Sequence, residues 1–350
     1  MSRKLFVLAA IVALAVAGLA ACGKSTTRAA QTNAKGQTVV KIMVGGANKQ
    51  IYLPAKLTER LGYFTEQGLD VQLSDEPAGV DAETAMLSGQ VDGVVGFYDH
   101  TLDLQGKGKS TESVVQLLQV PGEVVLCRTD VADQIHSPAD WKGRHLGVTG
   151  LGSSTNFLTK YLATRSGLAP SDITPVAVQA GNTFIAAMQH KAIDCGMTTE
   201  PTISALLSSG QAKVLIDMRH ADGTTKALGG LYPASSLYMQ TSYVNSHKEV
   251  VQKLANAFVK TMHYIAGHSA EQITDQMPAE YYSGIGRAAY VKALSDEKGI
   301  YTLDGIMPPA GPQTVLDVLS AFDPNVKGHD IDLSKTYTTE FTKQANDSIK

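Results

Sequence analysis

Basic charge is in short supply in this chain. Thirty Lys and Arg stand against 33 Asp and Glu in 350 residues, a formal net charge of −3. No basic face is left to grip nucleic acid or an anionic membrane, so neither is expected as a direct partner. Metal chemistry is equally thin. The nine histidines form no His-Glu-x-x-His and no Cys/His spacing suited to zinc, and His263 and His268, five apart, fall off one helical face. No Gly-x-Ser-x-Gly turn raises a nucleophile. There is no tandem repeat of about 20–50 residues and no long low-complexity tract. The expectation is a chain without metal, cofactor or catalytic residues, hence not an enzyme. Cysteine occurs three times, at Cys22, Cys127 and Cys195, and only one long apolar run is present.

That run is Leu5–Ala21, almost wholly Ala, Val, Leu and Ile, preceded by Arg3 and Lys4 and ending Leu19-Ala20-Ala21-Cys22. A basic start, an apolar stretch and small residues at its end read as a secretory signal, 1–21. Cys22 in that position resembles the lipobox of bacterial lipoproteins. The resemblance implies cleavage before Cys22, a diacylated thiol and anchoring to the outer face of the cell membrane or in the periplasm. The alternatives are an ordinary signal with a chance cysteine, or an uncleaved anchor; a span needs about 20 apolar residues, and this run is shorter. Loss of Arg3 and Lys4 moves the formal charge to −5. Residues 22–37, polar and small, read as a flexible tether. The 43% hydrophobic content supports a substantial core, and the length suits two lobes.

Beyond the tether, strand and helix patterns alternate. Val39–Val44 is a β-branched run, followed by a helical pattern over Tyr52–Phe64. Strands at Leu69–Leu73, Val91–Phe97 and Val114–Val120 and a helix around Ala82–Ser88 complete a first set. The order restarts with strands at Arg144–Val148, Thr174–Val178, Ile193–Met197 and Lys213–Asp217, and helices at Thr155–Ser166, Phe184–His190 and Pro201–Ser208. Two such runs predict two α/β lobes with parallel-rich sheets. Ser246–Ile265 is helical by spacing, Ser137-Pro138-Ala139-Asp140 reads as a helix start, and Arg219-His220-Ala221-Asp222 reads as an exposed loop.

Four segments carry a further resemblance. Leu61-Gly62-Tyr63-Phe64 with Gly68-Leu69-Asp70-Val71, then Ser88-Gly89-Gln90-Val91-Asp92, then Asp140-Trp141-Lys142-Gly143-Arg144-His145-Leu146-Gly147-Val148, then Ile193-Asp194 with Glu200-Pro201, resemble in order and spacing the nitrate/sulfonate/taurine/thiamine-precursor solute-binding proteins. The likeness covers roughly residues 38–270 and is weak over the last 80. It implies a type II periplasmic-binding-protein fold, each lobe a mostly parallel sheet with one antiparallel crossover strand, flanked by helices. Lobe 1 is expected as 38–123 plus 237–350 and lobe 2 as 124–236, opening about Glu123–Thr129 and Leu231–Tyr243, with Leu237–Val244 a strand. It also implies a monomer that hands a small molecule to the permease and ATPase of an ABC importer. Two other classes stand beside this: a sensory binding lipoprotein that signals to a membrane receptor, and a fungal branch that makes the thiamine pyrimidine using a Cys-rich motif absent here.

Ligands of open α/β sheets lie beyond the carboxyl ends of strands. Residues just past the expected strands therefore form the candidate site: Gly46, Ala47 and Tyr52; Ala78; Tyr98, Asp99 and His100; Thr149, Gly152, Ser153, Ser154 and Thr155; Glu200; and Tyr232 near the return crossover. Gly150-Leu151-Gly152-Ser153-Ser154-Thr155-Asn156, between a strand and a helix, combines helix-start amides with hydroxyl donors and suits an oxyanion; equally, Ser153 or Ser154 simply caps the helix. A small organic acid is expected, with Glu200 needing a cation or a ligand N–H; a pyrimidine held by Glu200 is the alternative. The fold's lobe 2 would set the strand bearing Cys127 beside that bearing Cys195, either bridged or as two buried thiols.

Overall fold

The computed structural model describes residues 31–349. The signal expected over 1–21 and the lipidation expected at Cys22 lie outside the described residues. The tether expected over 22–37 departs from expectation in its described part. Residues 31–37 form a turn fastened to the first sheet, because the Asn33 side chain donates to Asp70 Oδ2 (3.1 Å) and Gln37 Oε1 (3.0 Å), and Val39 N donates to Gln31 O.

Among the described residues ten strands make two five-stranded sheets: β1 Thr38–Val44, β2 Leu69–Asp75, β3 Gly93–Phe97, β4 Thr111–Gln116, β5 Glu123–Arg128, β6 His145–Val148, β7 Thr174–Ala177, β8 Cys195–Thr199, β9 Ala212–Asp217 and β10 Ser235–Gln240. The first sheet has the order β2-β1-β3-β10-β4 and the second β7-β6-β8-β5-β9. Within the first, β1 runs parallel to β2 and β3 while β10 is antiparallel to both its neighbours; within the second, β5 is the antiparallel strand. Each lobe thus repeats one plan. Its inner strands read as continuous apolar runs because helices cover both faces; β3 and β5 are buried throughout. The helix Lys248–Gly267 buries Val250, Val251, Leu254, Phe258, Met262 and Ile265 along one stripe, against the helices Leu53–Arg60 and Glu340–Ser348.

The last 80 residues pack on the first sheet's elements, and their helix Gly311–Ser320 also meets the helix Ser154–Arg165. Tyr301 donates its hydroxyl to Gln50 O (2.6 Å), and Gln50 Nε2 donates to Tyr290 O (3.1 Å). Within lobe 2, Cys127 and Cys195 face each other across the β5–β8 ladder, Cα atoms 3.9 Å apart, and are joined by a disulfide.

Three local expectations change. The return strand is Ser235–Gln240, and Thr241–Ser246 is already helix. Arg219 is no exposed loop residue: it pairs with Asp217 and Glu200, and Ala221–Leu228 is helical. Glu123–Thr129 cannot pivot, since β5 is hydrogen-bonded on both sides. The chain crosses instead at 117–122 and 229–234, two segments tied to each other: Leu117 N and Leu118 N donate to Ser235 O, Ala234 N donates to Leu118 O, and Gln116 Nε2 donates to the carbonyls of Leu118, Ala234 and Ser235.

Candidate functional site

The carboxyl ends of the parallel strands of both sheets converge on one cleft. Its inner part is a cavity of about 10 Å³ lined by Lys49, Tyr52, Phe97, Glu123, Thr199 and the Thr149–Thr155 loop, room for roughly one water-sized group. Its outer part is a groove of about 350 Å³ between Gly46, Asp75 and Tyr281 of lobe 1 and Gln179, Asn182 and Pro201 of lobe 2, within the range of small-molecule sites. Lys49 lines both.

Asp99 holds the lobes together. It lies one residue beyond β3, after Tyr98, starts the helix Asp99–Gly106 and is fully buried. Ser154, at the start of the lobe 2 helix Ser154–Arg165, donates to its Oδ1 (2.8 Å), and Tyr232 donates to its Oδ2 (2.8 Å). Burial raises the Asp99 pKa, opposed by the nearby His100 charge and the two donors. Glu123, the first residue of β5, is 2% exposed, and its Oε2 has no hydrogen-bond partner. Burial first, then the Asp99 charge, push its pKa well above the ordinary carboxylate range, with Lys49 pulling the other way.

Lys49 sits in the turn after β1. Its ammonium donates to Gly45 O (2.7 Å) and Pro77 O (3.1 Å), and burial lowers its pKa to about 8 against the attraction of Glu123 and Asp75. Gly46 makes this possible. Its φ is +114°, and a Cβ there would lie 2.4 Å from Lys49 Cε, so only glycine lets the stem fold back over the turn. The amides of Gly46 and Ala47 both donate to Asp75 Oδ1 (3.1 and 2.6 Å).

The sequence-derived candidates divide. Tyr52 and Thr149, Ser153, Ser154 and Thr155 line the inner cavity, Gly46 lines the groove, and Tyr232 reaches the cleft through Asp99. Ala78 marks the closure: a Cβ on Gly150 would come within 2.9 Å of Ala78 Cβ, so the loop presses on the opposite lobe. The loop's hydroxyls already have protein partners. Ser153 Oγ accepts from Val80 N (3.4 Å), Ser154 serves Asp99, Thr155 Oγ1 accepts from Thr149 N (2.9 Å), and Gly152 N donates to Asn156 Oδ1 (3.1 Å).

Three candidates point elsewhere: Tyr98, Glu200 and His100, the last toward Glu83. Tyr98 turns its hydroxyl to Thr336 Oγ1 and its ring to Tyr337, among the C-terminal segments of lobe 1. Glu200 accepts from Ser204 N (3.0 Å) and Arg219 Nη1 (3.2 Å), a protein cation that removes its need for a ligand. Lys49 and Glu123 went unnoticed in the sequence as site residues, although each is a charged group set immediately beside a buried apolar run.

His100 is buried with its Nδ1 2.6 Å from Glu83 Oε2. Burial alone would lower the imidazole pKa; the Glu83 carboxylate overrides it and lifts the value to about 9. A folded pKa above the ordinary 6.5 makes this pair's stabilisation complete below pH 6.5 and lost as pH rises to about 9. Lys49, lowered to about 8, acts oppositely, its folding penalty fading between about pH 8 and 10.5. Glu83→Gln should therefore flatten the fall in thermal midpoint between about pH 6.5 and 9; a slope equal to that of the parent protein would refute the pairing.

Among the described residues no cluster suits a metal ion and no helix is long and apolar enough to cross a membrane. A solved structure of a Bordetella bronchiseptica RB50 protein superposes with a TM-score of 0.85 at 33% identity, over 89% of this chain and 98% of that one. The alkanesulfonate-binding protein SsuA from Xanthomonas axonopodis pv. citri, bound to MOPS, gives 0.68 at 18% identity, over 86% and 98%. A Saccharomyces cerevisiae 4-amino-5-hydroxymethyl-2-methylpyrimidine phosphate synthase, THI11, is 29% identical over 153 residues, 43% of this chain and 42% of the yeast protein. The profile of one family matches residues 52–272, nine of the ten strands described and most of the loops that border the cleft, though not the turn that carries Gly46 and Lys49: the chain belongs to the NMT1/THI5 like family.

Proposed function

We propose that this protein is an extracytoplasmic solute-binding protein of an ABC importer, anchored through Cys22, which closes its two lobes on a small molecule and presents it to a permease and its ATPase. The lobes are 38–116 plus 235–349 and 123–228, turning about 117–122 and 229–234. The observation that carries this reading is the Asp99–Ser154 contact, which joins the carboxyl ends of the two sheets across a cleft large enough for a solute. A ligand that adds contacts to both lobes favours the closed form over the open one by its differential affinity.

The synthase reading has less support. The described cysteines, Cys127 and Cys195, are consumed in a disulfide within lobe 2, so neither offers a thiol to the cleft. Small-angle scattering of the protein as purified, and again after unfolding and refolding to strip bound solute, tests the closure. The stripped protein should have the larger radius of gyration, and re-addition of the released small-molecule fraction should restore compaction. Superimposable profiles in all three states would sink the mechanism.

A further inference from the structure

The polar groups at the bottom of the cleft do not balance. Three carboxyl groups, Glu83, Asp99 and Glu123, share two cations: His100 serves Glu83 and acts on Asp99, while Glu123 faces Lys49, whose ammonium is turned toward the carbonyls of Gly45 and Pro77. Two atoms on the cavity wall, one on each of two neighbouring lobe 2 strands, have no hydrogen-bond partner: Glu123 Oε2 on β5 and Thr199 Oγ1 on β8, residues 2% and 1% exposed. These strands are adjacent, and Glu123 lies opposite Thr199 in register. Both groups are acceptors able to serve one donor between them.

Size and charge then select the occupant. The inner cavity, about 10 Å³, admits about one heavy atom. A carboxylate or sulfonate head brings several, more than the space admits. An ammonium or amidinium nitrogen brings a single heavy atom, N–H donors and a positive charge that would hold the Glu123 carboxyl, pushed toward its neutral form by burial, as a carboxylate. The rest of such a ligand would pass Lys49 into the outer groove, where Asp75 and Glu280 add acidic groups and Gln179 and Asn182 add neutral ones. With two donors of the Lys49 ammonium engaged, its third is left for an acceptor on the ligand.

We infer that the cleft selects a small cationic nitrogen compound, a primary amine or an amidine, whose nitrogen lodges between Glu123 and Thr199. This rests on the solute-binding reading and names its ligand class. Calorimetry at neutral pH with ethanolamine, putrescine, acetamidine and benzamidine, against propionate and ethanesulfonate, tests it. At least one nitrogen compound should bind. Glu123→Gln, which preserves shape but removes the charge, should weaken that probe by about tenfold or more, and Thr199→Val by about two- to tenfold, the loss of one hydrogen bond. Thermal unfolding of both variants verifies the fold, and Thr199→Val answers alone should Glu123→Gln not fold. Failure of every nitrogen probe overturns the inference, as does a nitrogen probe bound equally well by the folded variants. Binding of propionate or ethanesulfonate with compaction in scattering would overturn the ligand class while leaving solute capture standing.

Discussion

Replacing Asp99 by alanine should cost the protein its closed form and several degrees of thermal stability. The carboxylate accepts from Ser154 in one lobe and from Tyr232 beside the return crossover, both at 2.8 Å and both buried. Each hydrogen bond to a charged group is worth about 1.5–3 kcal/mol, and truncation leaves two hydroxyls without an acceptor. Part is regained because a buried carboxylate no longer has to be desolvated. A net loss of about 3 kcal/mol would lower the midpoint by roughly 4–6 °C. Asp99→Asn keeps the shape and one good acceptor, so its loss should be about half as large. Scattering should show Asp99→Ala more expanded than the parent. Removing this charge should also let the Glu123 carboxyl fall back toward its ordinary range, since Asp99 is the second cause of its upward shift. A variant as stable and as compact as the parent would show that the contact across the cleft holds nothing.

Removal of the disulfide by Cys127→Ala with Cys195→Ala should be of similar size and confined to lobe 2. The bridge spans 68 positions in sequence, for which loop-closure entropy gives about 4 kcal/mol in the chain-entropy account. The cross-strand register of β5 and β8 does not depend on sulfur, because five residue pairs hold the ladder. The native cleft should therefore persist while the denatured chain gains freedom. Urea unfolding should show a lower midpoint, with ligand affinity of the folded fraction unchanged. A difference below about 1 kcal/mol would mean that the unfolded chain is already constrained there.

The fold was legible because β-branched runs recur between helical patterns, and the boundaries of β1, β2 and β7 differ from expectation by two residues or fewer. β10 was not legible from pattern. Ser235-Ser236-Leu237-Tyr238-Met239-Gln240 shows no alternation, since five of its six residues are buried between two neighbours and two helical layers. At the site, the rule of looking past strand ends led to loops that border the cleft but not to which way their side chains turn. Tyr98, Asp99 and His100 are consecutive, yet one meets the C-terminal segment, one the other lobe and one a glutamate in the helix Gly79–Leu87. That choice is made by partners distant in sequence, at Thr336, Ser154 and Glu83. Glu200 was placed in the cleft for the same reason and found Arg219 instead. Glu123 was hidden by its role as the first residue of a crossover strand, where a carboxylate ordinarily marks a solvated strand end.

The strand order carries a consequence for how the chain assembles as it emerges. Among the strands described β4 pairs only with β10, which lies between it and β3, and its other edge is met still later in the chain by a bridge from Ser113 to Tyr337. During synthesis or after export, β1, β2 and β3 can pair at once, but β4 waits until Gln240 has arrived and all of lobe 2 has passed. Throughout that interval β3 and β4 each expose an unpaired, apolar edge, the kind on which chains aggregate. Lobe 2 meets no such delay across its bridge, since β5, β6 and β8 are in hand by Thr199. A chain halted between Asp217 and Ser235 would hold a finished second lobe beside an open first sheet, the stage at which a chaperone guarding an exposed strand edge would bind most tightly.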